Sequence, residues 1–77
     1  MKNNVNKTGK YKNLLAIQSS YNNHIHYIEV DENGEGKWRG HASCTVPLTV
    51  EELNASAERF HRLMNTPIEE LYRKDLN

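Results

Sequence analysis

Seventy-seven residues with a mass of 8.9 kDa leave room for one small domain, which buries roughly 60 per cent of the surface its unfolded chain exposes. Ten Lys plus Arg balance ten Asp plus Glu, which argues against both a polyanionic nucleic-acid mimic and a strongly basic binder working by counterion release. Leu, Ile, Val and Phe supply 16 of the 77 residues, close to the share found in chains that stay disordered, so a marginal core helped by self-association is expected.

The first dozen residues carry Lys2, Lys7, Lys10 and Lys12 with no acid, and only Val5 and Tyr11 to bury. Too little apolar surface is present there to offset ordering entropy, so residues 1–10 are expected to form a flexible basic arm and residues 11–77 a single domain. From Tyr11 the pattern turns to strand chemistry. Two turn signals, Asn22-Asn23 and Asp31-Glu32-Asn33-Gly34-Glu35-Gly36, divide it into three runs.

In the third run Trp38, Ala42, Cys44 and Val46 alternate with Lys37, Arg39, His41, Ser43 and Thr45. A three-residue loop with Gly34 in the left-handed position pairs Asp31 with Glu35 and sets Ile28 opposite Trp38. A two-residue turn at Asn22-Asn23 sets Ile17 opposite Ile28 and Leu15 opposite Val30. Both turns give one apolar face, comprising Leu15, Ile17, Ile28, Val30, Trp38, Ala42, Cys44 and Val46, and this is the expected core face.

Behind the strands, Thr49-Val50-Glu51-Glu52 is a capping box that opens a helix with Leu53, Ala57, Phe60 and Met64 on one stripe and Glu58 paired with Arg62. Asn65-Thr66-Pro67 ends it, and Thr66-Pro67-Ile68-Glu69 predicts a second, short helix with Ile68, Leu71 and Tyr72 inward. The expected fold class is therefore α+β: a three-stranded antiparallel meander packed on one helix, with a short C-terminal helix.

Four histidines and one cysteine raise a metal reading, but the expected register leaves His24 and His26 near Cys44 without a fourth ligand, His41 on the opposite face and His61 on the helix. No metal or other cofactor is expected. Cys44 sits among core positions, the acids Asp31, Glu32 and Glu35 surround a solvated turn, and no glycine precedes a helix as a phosphate cradle does, so no enzyme is expected. The single cysteine excludes an internal disulfide, and no run approaches the ~18 apolar residues of a membrane span. A soluble, cytoplasmic protein is expected.

The working surface is then expected on the other sheet face, centred on Ile25, Tyr27, Lys37, Arg39 and His41, with Tyr27 opposite Arg39 and Ile25 opposite His41. The order of three antiparallel strands and a helix over Tyr11 to Met64, with Lys37-Trp38-Arg39-Gly40 in the third strand, resembles the arm-site DNA-binding domains of tyrosine recombinases and AP2-type domains. That resemblance implies a sheet that reads DNA, and with the basic arm it supports a nucleic-acid-binding alternative. The favoured expectation is a small accessory or inhibitor protein that binds a host or partner protein. Its ten asparagines hint at an AT-rich phage or mobile-element source. Ser43 to Val46 carries no charge, so edge pairing there is expected to allow a homodimer.

Overall fold

The computed structural model describes residues 6–66. Four strands, β1 (Lys7–Tyr11), β2 (Leu14–Gln18), β3 (Ile25–Val30) and β4 (Gly36–Ala42), form an antiparallel sheet in order β1-β2-β3-β4, and one helix, α1 (Val50–Asn65), follows. The α+β class holds, with one strand more than expected. The additional strand is β1, so the part of the expected arm at Lys7 to Lys10 is paired sheet. Tyr11 meets Leu14 across a turn at Lys12-Asn13 in which Lys12 has φ 56°, a position that glycine or asparagine usually fills. The expected second helix lies outside the described residues.

The β3–β4 hairpin forms as its residues dictate. Gly34 has φ 82°, its amide donates to the Asp31 carbonyl at 2.9 Å, the Asp31 amide donates to Glu35 at 2.9 Å, and Ile28 stands opposite Trp38. The β2–β3 connection differs from expectation. Its loop is four residues long, closed by Ser19 donating to the His24 carbonyl and turned by Asn23 at φ 65°, so Leu15 faces Ile28 and Ile17 faces His26. A two-residue shift keeps side-chain parity, and Leu15, Ile17, Ile28 and Trp38 therefore do share a face.

That face is the one the helix leaves open, which reverses the expected core. Buried instead are Leu14, Ala16, Ile25 and Tyr27 with Leu53 and Ala57 of the helix, while Tyr11, Ala42, Cys44, Leu48, Phe60 and Met64 pack around them. Two features explain the choice. Gly9 lets the helix backbone settle on β1, since a Cβ there would lie 2.3 Å from the Leu53 carbonyl carbon. A β-bulge between the Tyr27 and Ile28 pairings re-phases β4, so Trp38 and His41 share the open face whereas Gly40 and Ala42 face the helix.

Polar side chains on the helix side are also matched. Tyr27 Oη lies 2.7 Å from Ser56 Oγ, and its ring stacks on Phe60 at 4.1 Å. Gln18, 3% exposed, donates to the carbonyls of Asn23 and Val46 and accepts from the Leu48 amide, fastening two connections to β2. Asn54 accepts from the Lys10 amide at 2.7 Å and Lys7 Nζ donates to the Leu48 carbonyl, which covers the β1 edge. The capping box at Thr49 forms as expected, with both of its hydrogen bonds present.

Candidate functional surface

The residues expected to form a binding site separate in the structure. Ile25 and Tyr27 are only 4% and 6% exposed and lie beneath α1, because their face is the one the helix covers. Tyr27 stands opposite Gly40, not Arg39, and Ile25 opposite Ala42, not His41, both consequences of the bulge. Arg39 is exposed and its Nε lies 3.5 Å from Glu29 Oε1. Lys37 is exposed and pairs in register with Glu29. Of the five, His41 alone lies on the open face. The strand expected through Ser43 to Val46 ends at Ala42, so that segment offers no sheet edge.

The open face is built from two cross-strand rows. Lys10 of β1 pairs with Leu15, Leu15 with Ile28, and Ile28 with Trp38. Thr8 pairs with Ile17, Ile17 with His26, and His26 with His41. Leu15, Ile17, Ile28 and Val30 are half-buried against their neighbours, and Trp38 is 59% exposed. The strands contain one acid, Glu29, and it lies on the helix side opposite Leu14. Lys10 is thus the open face's one fixed charge within the strands.

Three imidazoles gather at its β4 side. His26 and His41 stack with centroids 5.9 Å apart, His24 lies 5.9 Å from His41, and His26 Nδ1 accepts from Trp38 Nε1 at 3.4 Å. His41 therefore joins the other two, contrary to the expected placement on the opposite face. Cys44 does not approach them: it packs against the core, and its Sγ meets the Val46 carbonyl. Among the described residues no group of three His, Cys, Asp or Glu is arranged to hold a metal ion. His61 lies edge-on to Tyr11 at 5.3 Å.

A surface depression of about 470 Å³ lies at the β3–β4 hairpin end, lined by Asn13, Glu29, Val30, Asp31, Glu32 and Lys37. Its charged lining is unlike the apolar walls that enclose a small molecule. Among the described residues, no helix is long and apolar enough to cross a membrane. No protein-family model, no curated protein and no solved structure matches this chain.

Proposed function

We propose that this chain is a non-catalytic binding protein that docks a protein partner on the open face of its sheet, in the manner of the small accessory or inhibitor proteins of phages and mobile elements. The observation that carries the reading is the row Leu15–Ile28–Trp38, three apolar side chains in direct cross-strand register on a face the helix does not cover. Contiguous apolar surface of this kind marks interaction sites, and tryptophan is the residue type most enriched at their energetic centres. Small size and an asparagine-rich composition support the phage or mobile-element class, and a cytoplasmic setting fits the lone cysteine.

Nucleic-acid binding is the second reading, supported by Trp38, the three imidazoles and Lys10 on a face without strand carboxylates. A single fixed cation is a weak match for a phosphate backbone, which ranks this reading lower. The test is capture from bacterial lysate by the immobilised chain and by an Ile28→Lys variant, each with and without nuclease. Nuclease-resistant capture that disappears with Ile28→Lys is expected. Capture unchanged in the folded variant overturns the proposed surface, and capture lost with nuclease favours the second reading.

A further inference from the structure

We infer that the partner seated on the open face is a second copy of this chain, stacked sheet to sheet about a two-fold axis that runs parallel to the strands between β2 and β3. This rests on the reading above that the open face is the docking surface. Such an axis exchanges β1 with β4 and β2 with β3 across the interface. The first row is then complementary to its own copy: Lys10 meets Trp38 of the other chain, and Leu15 meets Ile28. The second row behaves likewise, with Thr8 meeting His41 and Ile17 meeting His26. Each follows from the cross-strand register of the rows, Lys10–Leu15–Ile28–Trp38 and Thr8–Ile17–His26–His41.

Charge favours this occupant. The face holds one fixed charge within the strands, a cation that falls against an indole ring, a pairing aromatic faces welcome. No strand carboxylate meets a carboxylate, because Glu29 lies on the helix side and bonds with Arg39. The whole chain has zero formal net charge, so two copies approach without net repulsion.

The size of the core points the same way. Its only large side chains that are fully buried are Leu14 and Leu53 among the described residues. Domains this small commonly need a staple, and oligomerisation is one. Two sheets pack face to face about 10 Å apart by interdigitating such residues, so stacking gives Leu15, Ile17, Ile28 and Trp38 a dry interior. The interface is isologous and closed, so it stops at a dimer.

Trp38 is the chain's single tryptophan and reports directly. Sedimentation of the full chain across micromolar to millimolar concentration is expected to show the mass rise from 8.9 kDa to about twice that. Over the same range Trp38 emission should move to shorter wavelength and iodide quenching should fall. Ile28→Lys should hold the mass at the monomer, with circular dichroism confirming the fold. Lys10→Ala should weaken association about tenfold, as two symmetry-related cation–π pairs of ordinary strength imply.

A chain that stays monomeric at millimolar concentration overturns the inference. So does a dimer whose Trp38 remains quenchable, which is the signature of β4 edges pairing. Quenching of Trp38 by a single-stranded oligonucleotide on a monomer also overturns it. In each case the lysate capture experiment decides separately whether the open face docks another protein, so failure of the dimer is distinguishable from failure of the docking reading.

Discussion

Gly9 is the residue on which the packing of helix against sheet turns. A Cβ at this position would lie 2.3 Å from the Leu53 carbonyl carbon and 2.4 Å from the Asn54 nitrogen, both helix backbone atoms that have no rotamer to escape into. Gly9→Ala is therefore expected to destabilise by roughly 2 to 3 kcal/mol, the upper part of the range for overpacking. Gly36→Ala serves as the comparison: its Cβ would meet the Cγ2 of Ile28 at 2.9 Å, one side-chain methyl that can shift by a few tenths of an ångström where helix backbone cannot, and a smaller loss of about 1 kcal/mol is expected. Urea midpoints of the two variants check this, and equal losses would mean that α1 does not rest on β1. Gln18 and Ser56 show a related economy of space. Each is a buried polar group held by hydrogen bonds to protein partners, and an unpaired group in such a place costs about 1–3 kcal/mol.

At the level of elements, the helix owes its start to Thr49. Its hydroxyl accepts from the Glu52 amide at 3.1 Å while the Glu52 carboxylate accepts from the Thr49 amide at 2.8 Å. Thr49→Ala should lower stability by ~1 kcal/mol and the melting temperature by several degrees for a chain of this length. An unchanged melting temperature would place the start of the helix elsewhere. This cap and the Gly34 loop were legible in the sequence because each rests on one residue type with one local job. What escaped was set by residues with no such signature. Lys12 turns the β1–β2 hairpin at positive φ, although nothing in a lysine announces a turn, and so β1 read as an arm. The bulge at β4 inserts one residue into an otherwise regular alternation, which moved Ala42 and His41 to faces opposite those that counting by twos assigns. The face shared by Leu15, Ile17, Ile28, Val30 and Trp38 was found correctly, though with the β2–β3 register two residues off and with Ala42 and Cys44, which pack on the helix side, counted among them. Its side of the sheet was not, because the helix chose the face where Gly9, Ala16 and Gly40 admit it rather than the face with more aliphatic carbon.

Across the whole molecule, cover is uneven. α1 lies over β1 and β2 and reaches β4 through Phe60, whose Cζ would be 3.2 Å from a Cβ at Gly40, so among the described residues the β1 end of the sheet is the better covered and the β4 end the more exposed. β2 is flanked by strands on both sides and its residues are buried or half-buried, whereas most of β4 is exposed. Amide hydrogen exchange should follow that gradient, with β2 exchanging only through near-global unfolding and β4 opening at a fraction of that free energy. Uniform protection across the four strands would contradict it.

The bond from the Lys10 amide to Asn54 joins residues 44 positions apart and ties the earliest described strand to the helix made after all of the sheet. During synthesis, β1 leaves the ribosome long before the helix that covers it exists. It must wait, with its outer edge unpaired, until the chain through Asn65 has emerged. Closing so long a loop is what slows the folding of small domains. The protein thus completes its core in one late step instead of growing it strand by strand, and its most vulnerable moment as a nascent chain is the interval before α1 arrives.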